Sequence, residues 1–174
     1  VIVRERQGIA VWCQGAVREC FALDAHGVIF EKKPAESPKG IQAGPPQSGG
    51  LGGEPKREMI ISAEGKNAVL GEQVIDEELL AKILEFAQQL DASSLFSEVG
   101  LRVSSAVLVS KERVNVKISE GWEVYVNPRE NIGWQVTKVK LVLEKEIPSA
   151  KRPFLEYIDL RFGDQAYIKY RTNQ

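Results

Sequence analysis

Two spacings of apolar residues succeed each other along this chain. Residues 1–6 alternate apolar and charged side chains with period two, the mark of a strand with one buried face, and strand-like composition continues from Ile9 to Phe21. Phe21 to Phe30 reads as a hairpin whose turn is Asp24, Ala25, His26 and Gly27, with Gly27 free to take positive φ. Met59, Ile60 and Ile61, and then Ala68, Val69 and Leu70, are short apolar segments between polar turns. At Asp76 the period changes. From there to about Leu90, Leu79, Leu80, Ile83, Leu84, Phe86, Ala87 and Leu90 fall on one helical face, with Asp76 in the N-cap position and Ile75 placed to staple against Leu80. Glu78 and Lys82 are spaced for an exposed ion pair on that helix. Leu101 to Ser110, Arg113 to Ser119 and Trp122 to Asn127 then predict three antiparallel strands. Val114, Val116 and Ile118 share a face, Glu120 and Gly121 turn the chain, and Pro128 ends the ladder. Ile132 to Ile147 is ambiguous, because Ile132, Val136, Val139, Leu143 and Ile147 fit a helical face while the many valines favour a strand. Length decides for a helix, stopped by Pro148. From Phe154 to Arg171, aromatic and β-branched residues recur on both sides of Gly163 and Asp164, predicting two strands joined by a short turn.

Pro34 to Lys56 breaks the pattern. It is rich in proline and contains the run Ser48, Gly49, Gly50, Leu51, Gly52, Gly53, which buries too little apolar area to order, so a flexible loop is expected at about 34–56. A phosphate-binding loop does not fit, because no Gly-Lys-Ser/Thr follows and no helix start is signalled.

Composition narrows the classes. A chain of 174 residues, 43% of them hydrophobic, is long enough to bury roughly two-thirds of its unfolded surface in one core or two small ones. With 23 Lys+Arg against 24 Asp+Glu, the net charge of -1 gives no general attraction to nucleic acid or anionic lipid. No apolar run approaches the ~20 residues needed to span a bilayer. The two cysteines, Cys13 and Cys20, flank a turn from Gln14 to Glu19, and this spacing favours a cross-hairpin disulfide over free buried thiols or part of a metal site. A bridge would imply an oxidising, extracytoplasmic compartment.

Candidate chemistry is sparse. A nucleophile would have to be assembled from Cys13, Asp24 and His26, and these residues form no recognisable catalytic motif; nor do Cys13, Cys20 and His26 have zinc spacing. No cofactor or metal is implied. Asp159 and Arg161 project from one strand face and are read as a structural ion pair. Lys138, Lys140, Lys145, Lys151 and Arg152, offset by Glu144, Glu146 and Glu156, read as a solvated helix face. The last strand, Gln165 to Arg171, is an edge that Lys169 and Arg171 would blunt. Phe162, Tyr167 and Tyr170 suit either an interface or packing on the core.

Two motifs carry a resemblance to a known family. Tyr157, Ile158, Asp159, Leu160, Arg161 and Phe162, followed by a turn and a final strand, resemble the closing signature of the FtsQ/DivIB bacterial cell-division proteins. Near the start, Glu5, Arg6, Ala10 and Trp12, then Asp24, Gly27 and Phe30, resemble that family's transition from its POTRA domain into its β domain, with Gly8 where a proline is usual. The resemblance implies an α+β fold: a mixed or antiparallel sheet with two helices packed on it, preceded by the last strand of a POTRA domain. Residues 1–12 would end the POTRA-like domain and 13–174 would form the β domain. It further implies a noncatalytic divisome scaffold on the extracytoplasmic face of the membrane, tethered by a transmembrane helix outside this chain. Its expected partners are FtsB/DivIC-like and FtsL-like proteins, captured by strand addition along Phe162, Gly163, Asp164, Gln165, Ala166, Tyr167 and Ile168. Another extracytoplasmic POTRA-linked module, handling outer-membrane polypeptides, is the alternative, since strand addition is common to both.

Overall fold

The computed structural model describes residues 5–15, 19–34, 58–63, 65 and 67–172. Of the alternating strand expected at residues 1–6, residues 1–4 lie outside the described residues and Glu5 and Arg6 belong to no strand, the first strand starting at Ala10. The loop expected at 34–56 lies, beyond Pro34, outside the described residues.

The chain forms β1 (Ala10–Gln14), β2 (Glu19–Leu23), β3 (Ile29–Lys33) and β4 (Met59–Ala63), then α1 (Glu77–Asp91) and α2 (Ser94–Val99). There follow β5 (Val103–Ser110), β6 (Arg113–Ile118), β7 (Glu123–Val126), α3 (Ile132–Lys145), a 3-10 helix (Ser149–Phe154), β8 (Leu155–Phe162) and β9 (Gln165–Tyr170). All the strands join one sheet in the order β3-β2-β1-β4-β5-β6-β7-β8-β9. It is mixed: β1 pairs parallel with β4, β4 with β5 and β7 with β8, and the remaining neighbours are antiparallel. The sequence division after Trp12 falls inside β1, whose five residues pair as one strand with β2.

Period two sets the core. Ala10 and Trp12, Phe21 and Leu23, Ile61, Ala106, Val114 and Val116, Val124 and Val126, and Ile158 and Leu160 supply one buried face of the sheet at period two, while β1 is buried along its whole length. α1 packs against α3 and β5, and α3 against β8. α1 starts where its cap signals it: Asp76 accepts from the Glu78 and Leu79 N–H groups, and Ile75 and Leu80 are both buried. Lys82 pairs with Glu85 at 3.5 Å and not with Glu78 as the spacing suggested. The ambiguous segment is helical, with Asn131 capping Trp134 N–H, and all five predicted face residues are buried.

Among the described residues, three α-helices and a 3-10 helix stand where two helices were expected. α2 went unread because six residues with one buried anchor, Phe96, have no measurable period. Its signals are its caps: Ser93 accepts from Phe96 N–H, and Gly100 closes it at φ 71.

Two buried glutamines extend the sheet by side chain. Gln14 bonds both the N–H and the C=O of Ala68 at 2.8 Å, and Gln135 does the same for Asn127 at 2.9 and 2.8 Å. Each amide substitutes for a missing strand partner, satisfying backbone groups that burial would otherwise penalise.

Cys13 lies directly opposite Cys20 with Cα atoms 4.2 Å apart, the separation of a narrow antiparallel pair, and the two are joined in a disulfide. Reduction is expected to lower unfolding stability by about 2–3 kcal/mol, the chain-entropy value for so short a loop. Denaturant titration with and without reductant measures it. An unchanged midpoint, with both thiols shown to be free by titration, would rule out a stabilising bridge.

Candidate functional site

The C-terminal hairpin is built on a tight turn. Phe162 pairs with Gln165, leaving Gly163 and Asp164 as the connection, and Gly163 takes φ 56, which a residue without Cβ adopts at little strain. β9 stands outermost in the sheet, so its backbone N–H and C=O groups on the side away from β8 have no strand partner among the described residues.

Its side chains divide by face. Ala166, Ile168 and Tyr170 are partly buried against the core, so Tyr170 is a packing residue. Phe162 and Tyr167 are 51% and 50% exposed and meet edge to face with centroids 5.1 Å apart. The Tyr167 hydroxyl donates to Gln165 Oε1. Two half-exposed rings in contact at the outermost described strand have the amphipathic area that suits an interface anchor. The predicted blunting charges point elsewhere: Lys169 Nζ bonds Glu156 on β8 at 2.9 Å, and Arg171 donates to the Gly121 carbonyl.

Behind the edge, Asp159 and Arg161 form the expected pair, and it is bidentate. Arg161 Nε and a terminal nitrogen reach the two carboxylate oxygens at 2.9 and 2.6 Å, with Asp159 only 5% exposed. The hydrogen bond to Asp159 raises the guanidinium's already high pKa. Around this pair runs a ladder of rings and cations absent from the sequence reading. Tyr125 and Tyr157 stack at 4.5 Å, Arg113 lies 4.3 Å from the Tyr125 centroid, and Lys169 lies 5.7 Å from that of Tyr157. Burial pushes the Tyr125 phenol up.

The basic set is not one solvated face. Lys145 and Lys151 are exposed, and Arg152 bonds Glu120 through Nε at 2.8 and 3.0 Å. Lys138 is 4% exposed, and its ammonium donates to the carbonyls of Leu160 and Gly163, both at 2.6 Å. Burial lowers its pKa, opposed by the charges of Glu130, Asp164 and Asp159. Trp134, one turn earlier on α3, donates from Nε1 to Asp164 Oδ1 at 3.2 Å. Sequence offered only their i,i+4 spacing, which does not reveal where a helix face points.

The residues considered for a nucleophile are not brought together as one. Cys13 is bonded to Cys20, near the opposite end of the strand order from β9. Asp24 Oδ1 accepts from the His26 and Val28 N–H groups, and the exposed His26 ring meets Glu77 at 2.9 Å, a contact that raises its pKa. No helix among the described residues is long and apolar enough to cross a membrane.

Comparison with known proteins gives one family. No curated protein matches the chain. The family model described as cell division protein FtsQ/DivIB, C-terminal, matches residues 10–161, from the first residue of β1 to the arginine of the Asp159–Arg161 pair. With most of its length and eight of the nine strands inside or entering that match, the chain belongs to the FtsQ/DivIB family of cell-division proteins.

Proposed function

We propose that this chain is a noncatalytic scaffold of the division machinery that captures FtsB/DivIC-like and FtsL-like partners by strand addition on β9, on the extracytoplasmic side of the membrane. The observation that carries this reading is the outer edge of β9, unpaired by any strand among the described residues, beside the half-exposed Phe162–Tyr167 pair. Backbone groups on such an edge supply affinity, and the alternating side chains supply selection. The contact residues are Phe162, Gly163, Asp164, Gln165, Ala166, Tyr167 and Ile168. Of these, Phe162 to Ile168 follow the matched span directly, so the family match supports the division role and the edge itself supports the site. The disulfide between Cys13 and Cys20 fits an oxidising compartment. The full protein would carry a POTRA domain and a membrane anchor ahead of this unit.

Replacing Tyr167 with lysine removes one ring of the exposed pair and places a cation beside Lys169. Affinity for the extracytoplasmic segment of the cognate FtsB/DivIC-like protein should fall at least about tenfold, the loss expected at an aromatic interface anchor. The melting temperature should change little, because Tyr167 is half exposed. Titration calorimetry against the segment, beside a thermal melt, measures both, and undiminished affinity in a folded variant would sink the reading.

A further inference from the structure

The C-terminal hairpin contains an irregularity that α3 fills. Between the pairs Asp159↔Tyr167 and Phe162↔Gln165, β8 sets two residues, Leu160 and Arg161, against the single residue Ala166 of β9. Such a bulge takes backbone groups out of the ladder. The Leu160 carbonyl lies in it and the Gly163 carbonyl in the turn just beyond, and Lys138 Nζ binds both at 2.6 Å. α3 is also anchored outside the hairpin, by Gln135 on the Asn127 backbone and by packing on α1. The cation therefore stands on a fixed support.

A lysine is an expensive choice for a site this enclosed, since an ammonium loses hydration on burial. An apolar residue of the same length would leave the buried Leu160 carbonyl, and the part-buried Gly163 carbonyl, without this donor. Asp159, Asp164 and Glu130 supply compensating negative charge nearby. The same turn is held a second time, by Trp134 on Asp164.

We propose that Lys138 is the positioning residue of the C-terminal hairpin: bonded to the Leu160 and Gly163 carbonyls, it fixes the bulge and so sets how β9 and the Phe162–Tyr167 pair are presented. Trp134 steadies the turn from the same helix. The clasp is a property of the chain alone; its consequence for partner capture rests on β9 being the binding edge.

Native-state hydrogen exchange on the 174-residue chain tests it. In Lys138→Met, β9 amides should exchange about ten- to a hundredfold faster relative to those of β6, the loss that corresponds to hydrogen bonds from a charged donor. Lys138→Arg, which keeps the cation and paired donors, should recover part of the protection. If Lys138→Met does not fold, Lys138→Gln, with a shorter neutral donor, carries the same comparison. A β9 that opens no more than β6 would overturn the clasp. In a parallel titration with the extracytoplasmic segment of the cognate FtsB/DivIC-like protein, Lys138→Met should weaken binding about tenfold, the equivalent of one such bond. Faster β9 exchange with unchanged binding would overturn the positioning role. Failure of the unaltered chain to bind the segment would instead count against strand addition on β9, while the exchange comparison still decides the clasp.

Discussion

Substitution of Gly27 by alanine is expected to destabilise the fold by about 4 kcal/mol, lowering the melting temperature by roughly 8–16 °C for a domain of this size. Gly27 sits at φ 74 in the turn between β2 and β3, where a side chain is strained by about 1–2 kcal/mol. The larger part is steric: a Cβ there would stand 1.9 Å from the Ile75 carbonyl oxygen, which belongs to backbone and cannot rotate away. The chain at Glu72 to Ile75 runs along this turn, with Val74 N–H bonded to Gly27 C=O and Ile29 N–H to Glu72 C=O, and it leads straight into the Asp76 cap of α1. Moving it would disturb hairpin and helix start together. Gly163 is the control. It also has positive φ but meets nothing within 4 Å, so Gly163→Ala should lose only the strain, about 1 kcal/mol. Paired thermal melts decide it, and a Gly27→Ala protein melting no lower than Gly163→Ala would mean that the close approach of Ile75 is absent in solution.

That glycine also marks how far the sequence could be read. Asp24 and Gly27 signalled a turn, and the turn is there, because an Asx carboxylate and a positive-φ residue act locally. The same holds for Asp76, for the helical face of α3 and for the hairpin closed by Gly163. What could not be read depends on contacts between distant segments. Nothing about Gly27 announces that Ile75 lies against it. Lys138 looks like any solvated lysine until α3 is laid on the β8–β9 bulge. Gln14 and Gln135 look like surface amides until their backbone partners, 54 and 8 residues away, are in place. The candidate site divides in the same way. Its strand, turn and Asp159–Arg161 pair follow from spacing along one segment, whereas its exposed rings, open edge and helix clasp are set by the order in which nine strands assemble.

The strand order bears most directly on where this unit begins, and Trp12 is the residue that tests it. Trp12 lies on β1 with no exposed surface, and its Nε1 donates to Gln14 Oε1, the oxygen that also receives Ala68 N–H. β1 pairs with β2 on one side and β4 on the other, which places it third from one edge of the sheet. Trp12→Ala should therefore open a cavity inside the common core and weaken the glutamine bridge, a loss of about 4 kcal/mol by the measured range for buried aromatic truncation. The two remaining tryptophans, Trp122 beside β7 and Trp134 on α3, are fluorescence reporters for the other half of the sheet. If the nine strands unfold as one unit, their transition and the far-ultraviolet dichroism should fall together, by roughly 8–16 °C. If residues up to Trp12 instead closed a separate domain, dichroism would lose part of its amplitude early while the Trp122 and Trp134 transition stayed at its original temperature. A coincident shift therefore assigns β1 to the same cooperative core that supports β8 and β9, and a split transition assigns it elsewhere.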